Sequence, residues 1–88
     1  MDDDAIIYVG TRKPVIDYVR ACLNAFKKYK KIKVEARGNA IVKAVDTTEV
    51  LRNRFLPVNI DYIGLGTETL GEQRKNVSTI SIELSNPT

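Results

Sequence analysis

The stretch AIIYVGTRKPVIDYVRACLNAFKKYKKIKVEAR, from Ala5 to Arg37, decides the fold. Ala5-Ile6-Ile7-Tyr8-Val9 is a short apolar run closed by Gly10, and it reads as a buried first strand. Pro14 follows, suited to the first turn of a helix, where its missing N–H costs nothing. Val15, Ile16, Val19, Cys22, Leu23 and Phe26 then recur at helical spacing, one apolar stripe on a helix of about fifteen residues. The run Lys27-Lys28-Tyr29-Lys30-Lys31 falls at its C-terminal end, where cations suit the helix dipole. Ile32, Val34 and Ala36 alternate with Lys31, Lys33, Glu35 and Arg37, the pattern of a strand with one wet face. Two strands joined by a helix lie parallel through a right-handed crossover.

Working outward, Gly38-Asn39 breaks the second strand. A second helix is predicted from Ala40, with Ile41, Ala44, Val45, Thr48, Leu51 and Phe55 inward, ending before Pro57. Val58, Ile60 and Tyr62 alternate, and Ile63 and Leu65 continue in the opposite phase. A bulge near Tyr62-Ile63 accounts for that switch. The polar, glycine-containing run from Gly64 to Lys75 reads as a hairpin end, with residues 66–76 its mobile tip, and Ile80, Ile82 and Leu84 form the returning strand. The expected fold is α+β, a single two-layer β-α-β-α-β-β domain over residues 1–88, with 1–4 an acidic flexible start. A chain of 88 residues holds one core.

Composition narrows the function. There is no histidine, so the commonest general base and metal ligand is missing. The one cysteine, Cys22, lies on the apolar stripe and cannot make an internal disulfide or a zinc site alone. No metal, no cofactor and no enzymatic activity are expected, and the location expected is the reducing cytoplasm. No apolar run has the length of a membrane helix, so no membrane partner is expected. The net charge of +3 is unevenly placed: of 14 Lys and Arg, all but Arg74 and Lys75 lie between Arg12 and Arg54. Only Asp17, Glu35, Asp46 and Glu49 oppose them there. A field concentrated in this way points to a polyanion, against the plainer reading of a solvated lysine surface.

The parallel strand pair gives that charge a place. The loops Gly10–Lys13 and Arg37–Asn39 leave the same end of the sheet, each leading into a helix N-terminus that attracts anions. Arg12, Lys13, Arg37 and Lys43 converge there. Gly10-Thr11-Arg12-Lys13-Pro14 lacks the second glycine and the Lys-Ser/Thr pair of a nucleotide-binding P-loop. It is a phosphate contact or a plain connection. In Arg37-Gly38-Asn39-Ala40 a guanidinium and an amide flank a glycine, or Asn39 simply caps the helix. Tyr8, Tyr18, Tyr29 and Tyr62 are too scattered in sequence to define a stacking platform.

Lys13-Pro14-Val15 with Tyr18-Val19, EARGNAIVKAVDTTEVLRNRFLP from Glu35 to Pro57, and VSTISIEL from Val77 to Leu84 together resemble the Alba family of small basic archaeal chromatin proteins. The resemblance runs over nearly the whole chain from Ile6. It implies a fold similar to the C-terminal domain of a bacterial translation initiation factor, paired as a homodimer. It implies that Arg12, Lys13, Arg37 and Lys43 face nucleic acid, with Asn39 where a basic residue is usual. Lys13 stands at the lysine whose acetylation lowers DNA affinity, which brings in an acetyltransferase and a deacetylase as partners. Asn53 and Phe55 fall at the contact where dimers meet along DNA. Arg74 and Lys75 lie on a hairpin, shorter than the family's, whose arms reach the minor groove.

The function expected is sequence-independent binding of double-stranded DNA, and of RNA, by a basic homodimer that compacts the chromosome. The alternative is a dedicated RNA-binding protein or ribonucleoprotein subunit. A small enzyme holding a phosphorylated metabolite at the two helix N-termini is disfavoured by the absent histidine and the lack of paired acids.

Overall fold

The computed structural model describes residues 5–87. Strand β1 (Ala5–Val9) leads through the basic loop to helix α1 (Val15–Phe26), and β2 (Lys31–Arg37) follows. A 3-10 turn (Gly38–Ala40) opens helix α2 (Ile41–Val50), which widens into a π-turn (Leu51–Phe55). The long strands β3 (Asn59–Leu70) and β4 (Lys75–Ser85) form the terminal hairpin. The order is β-α-β-α-β-β, as the apolar periodicities predict.

The sheet runs β1-β2-β4-β3. β1 and β2 are parallel, with Ala5 opposite Ile32 and Val9 opposite Ala36; β4 pairs antiparallel with both β2 and β3. Both helices pack on one face, chiefly over β1 and β2. The core between the layers is built from Val19 and Cys22 of α1, Ala44 and Leu51 from the second helical segment, Ile32 and Val34 of β2, and Ile82 and Leu84 of β4, all buried. Alternation explains the strand contribution: Ile32, Val34 and Ala36 of β2 and Ile80, Ile82 and Leu84 of β4 are buried, every second residue of each stretch.

Several expectations need correction. Helix α1 spans Val15–Phe26, 12 residues rather than about fifteen, because its end tightens into i→i−3 turns, the Lys27 N–H bonding the Asn24 carbonyl at 3.2 Å and the Lys28 N–H the Ala25 carbonyl at 3.0 Å. Ile16 sits at the margin of the apolar stripe, 38% exposed. Asn39 is not a cap: it lies inside the 3-10 turn, and α2 starts without a side-chain cap. Val45 and Phe55 are not inward; they are 41% and 50% exposed. Thr47, beside the expected Thr48, is the buried residue that periodicity misses. Thr48 settles its hydroxyl on the Ala44 carbonyl at 3.0 Å, whereas Thr47 Oγ1 has no partner among the described residues.

The phase switch in β3 is a bulge, one position earlier than expected. Ile60 pairs with Leu84 and Tyr62 with Glu83, which leaves Asp61 as the extra residue. Strand pairing then continues to Leu70 opposite Lys75. The irregular tip is therefore the four-residue turn Gly71–Arg74, not residues 66–76. Gly71 and Arg74 both take positive φ, 69° and 52°, and the Arg74 N–H closes the turn on the Gly71 carbonyl at 3.2 Å. The acidic start, residues 1–4, lies outside the described residues.

Candidate nucleic-acid interface

Because β1 and β2 are parallel, the chain leaves both at one end of the sheet, as the crossover argument requires. The loop after β1 is not loose. The Gly10 N–H donates to the Tyr18 hydroxyl at 3.0 Å. Lys43, in the first turn of α2, donates from Nζ to the carbonyls of Thr11 at 2.8 Å and Lys13 at 2.6 Å. Two neutral carbonyls bring no opposing charge to the ammonium, so the loop is braced from below by a cation.

This arrangement sorts the predicted basic residues. Arg12 and Lys13 project from the braced loop, both exposed, and form no ion pair among the described residues. Lys43 is half-buried beneath them. It adds positive potential and holds the loop's shape rather than presenting a free head group. Arg37 ends β2 at the same rim, but its Nη1 is held by Glu68 Oε1 at 2.9 Å, from the hairpin. Asn39 is exposed beside it. The backbone reverses there through Gly38, whose φ of +58° is the left-handed conformation that favours glycine.

Arg74 and Lys75 do not join this group. Lys75 lies four positions along β4 from Thr79, which is opposite Arg37, so they sit about 13 Å further out along the arm. Asn53 and Phe55 are elsewhere again, on the π-turn. There the Leu56 N–H reaches back to the Leu51 carbonyl at 2.9 Å. Leu51 is buried, while Arg52, Asn53, Arg54 and Phe55 are all exposed. Glu49 gathers Arg52 at 2.9 Å and Asn53 at 3.4 Å, leaving Phe55 half exposed beside them.

Sequence reasoning missed Tyr18 as a loop anchor and Glu68 as the partner of Arg37. Tyr18 had a usable signal: it stands on the first turns of α1, directly after the loop it holds. Glu68 had none, because its pairing depends on the register of two strands 31 residues apart. Among the described residues no cluster of His, Cys, Asp or Glu is suited to a metal, and no helix is long and apolar enough to cross a membrane.

The chain is thus a small two-layer α+β domain with parallel β1 and β2, a long terminal hairpin and, at one sheet end, exposed Arg12 and Lys13 without ion pairs among the described residues. The match to the Alba family model over residues 5–66 is decisive: the chain belongs to the Alba family. It is 46% identical over 92 residues to the DNA/RNA-binding protein Alba of Methanocella arvoryzae, covering 99% of this chain and 95% of that protein. It is 44% identical over 89 residues to the DNA/RNA-binding protein Alba of Thermoplasma volcanium, covering 97% and 99%. The solved Alba from Thermoplasma volcanium superposes with a TM-score of 0.85 at 46% identity, over 92% of this chain and 99% of that one. A more distant structure, ALBA1 from Trypanosoma brucei, shares the fold at a TM-score of 0.73 and 24% identity, over 92% of this chain and 68% of that one.

Proposed function

We propose that this chain is a non-enzymatic nucleic-acid-binding protein. It acts as a homodimer on double-stranded DNA and on RNA without reading base sequence, and it compacts the chromosome in the cytoplasm. The observation that carries the reading is the pair Arg12–Lys13, exposed and free of ion pairs among the described residues, on a loop held in shape by Lys43. Charge presented on a fixed loop binds phosphates at defined spacing, and phosphate contact positions a protein without specifying sequence. Relatives bearing the name DNA/RNA-binding protein Alba support the same reading.

Dimerisation is supported by an apolar strip on β3. Ile60, Ile63 and Leu65 point to the helix side of the sheet, where no helix among the described residues covers them, and are 37%, 53% and 80% exposed. A second copy of the chain covers such a strip and doubles the charged surface. Phe55, with Asn53, serves the contact between neighbouring dimers. Lys13 is the acetylation site, written and erased by an acetyltransferase and a deacetylase; the modification removes the ammonium charge and weakens phosphate binding.

One observation favours the second reading, a dedicated RNA-binding protein or ribonucleoprotein subunit. The arm carries Glu68 and Glu72 beside Arg74 and Lys75, a poor balance for the minor groove. Competition between a duplex and a structured RNA at two salt concentrations decides. Tight duplex binding with a steep salt slope supports chromosome compaction, strong preference for one RNA fold supports the second reading, and binding to neither overturns both.

A further inference from the structure

The sheet face turned away from the helices holds a groove of about 770 Å³. That volume falls within the range of small-ligand sites, about 300–1,000 Å³. One row of paired residues crosses all four strands there: Tyr8 on β1 is opposite Glu35 on β2, Glu35 is opposite Ser81 on β4, and Ser81 is opposite Gly64 on β3. Directly paired positions share a face, so these groups line one floor. Tyr62, two positions before Gly64, faces the same way and reaches across it. A Cβ at residue 64 would stand 2.8 Å from Tyr62 Cε2, so the tyrosine takes the space that glycine leaves. Tyr8 and Tyr62 are 70% and 56% exposed. Two large aromatic rings thus border the groove with most of their surface unused.

The polar groups narrow the ligand. Between the tyrosines, the half-buried Glu35 accepts a hydrogen bond from Ser81 Oγ at 3.3 Å and has acceptor capacity left. Arg37 and Glu68 also line the groove, at its rim, where they hold each other at 2.9 Å, so the floor itself offers aromatic surface beside the Glu35 carboxylate, which suits a flat ring bearing N–H donors better than a phosphate. Phosphates have their own place next door. Val9 lines the groove, and the next residues of the chain form the braced loop with Arg12 and Lys13. A duplex, with its bases stacked inside, cannot use both features, whereas an unpaired strand can.

We infer that this groove receives unpaired bases of single-stranded nucleic acid, stacked on Tyr62 and Tyr8 and hydrogen-bonded to Glu35, with the phosphates on Arg12 and Lys13. The inference rests on the nucleic-acid-binding reading and gives it a preference for open strands. The test compares a fluorescent 12-mer single-stranded RNA with a duplex of equal length, titrated with wild type, Tyr8→Ala, Tyr62→Ala and Tyr62→Phe. Each alanine variant weakens single-strand binding roughly tenfold, the effect of one lost stacking contact, with duplex affinity unchanged; Tyr62→Phe keeps both. Tyr8, the more exposed of the two, supplies a variant whose folding is not at stake. Wild-type binding to the single strand with no loss in either alanine variant overturns the groove, as does an equal loss on single strand and duplex. Failure of the wild type to bind either nucleic acid overturns the underlying reading instead.

Discussion

Arg37, the last residue of β2, is held at 2.9 Å by Glu68, a residue of the hairpin arm 31 positions later in the chain. Both side chains are about half exposed, at 59% and 48%. A pair so open to solvent contributes only about 0.2–1 kcal/mol to stability. Its larger consequence is competition, because a phosphate reaching Arg37 must displace a carboxylate.

Glu68→Gln therefore raises affinity for duplex or RNA, by about two- to fivefold if the released pair was worth up to ~1 kcal/mol. Arg37 then displaces one more counterion per chain, and the salt slope steepens by up to about one unit. Glu72→Gln, on the turn, removes the same charge without freeing Arg37 and controls for net charge. Equal effects of the two variants would show that the pair is incidental. In an Arg37→Ala background, the effect of Glu68→Gln shrinks to that control level.

Lys13 and Lys43 separate presentation from support. Lys13→Ala removes one exposed charge, so it flattens the salt slope by about one unit per chain and leaves stability within about 0.5 kcal/mol. Lys43→Met keeps a long apolar stem but abandons two loop carbonyls. Hydrogen bonds to charged groups contribute roughly 1.5–3 kcal/mol, less where water can replace them, so this variant lowers both melting temperature and affinity. A Lys43→Met protein with wild-type melting temperature would show that the loop needs no brace.

On the π-turn, one side chain holds the fold and another is available to a neighbour. Leu51→Ala, at a fully buried position, costs about 2–5 kcal/mol. Phe55→Ala, half exposed, costs under about 1 kcal/mol, well below the range of a core aromatic. Its effect falls on the cooperativity of binding to long duplexes. Thermal melting beside a titration of long and short DNA checks both, and a strongly lowered melting temperature for Phe55→Ala would return that ring to the core.

Burial pushes the Cys22 thiol up to about 12 from an ordinary value of 9.0. The folded state thus favours the protonated thiol. Its contribution is fully present below pH 9 and is lost as the pH rises towards 12, because the unfolded chain ionises first. Native protein resists thiol alkylation at pH 8 and loses stability between pH 9 and 12 faster than Cys22→Ala. Parallel pH profiles for the two proteins would sink this assignment.

Local pattern carried much of the fold. The stripe of α1 and the alternation of β2 follow from residues a few positions apart, and the parallel pair then places Arg12, Lys13 and Arg37 at one end of the sheet. What pattern could not supply was contact across strands. Glu68 meets Arg37, and Tyr8 shares a face with Tyr62, only through the registers of β2, β4 and β3. The hairpin end misread for a related reason: Gly64, Gly66 and a run of polar residues resemble a loop, yet backbone pairing with β4 keeps them in strand to Leu70. Val45 and Phe55 read as inward because a helical stripe fixes a direction but not what stands opposite it.

The extra residue at Asp61 gives the arm a trajectory of its own. A bulge bends its strand and adds right-handed twist, so the hairpin beyond Tyr62 leaves the body on a course set by one position. Removing Asp61 would place Ile60 and Tyr62 in consecutive pairs opposite Leu84 and Glu83, and every later side chain would keep its face. The cations of the arm and the apolar strip would survive, and only the aim would change. Angle and chemistry are therefore separately adjustable in this domain, and a single codon can re-point the arm towards a differently curved partner without rewriting any contact.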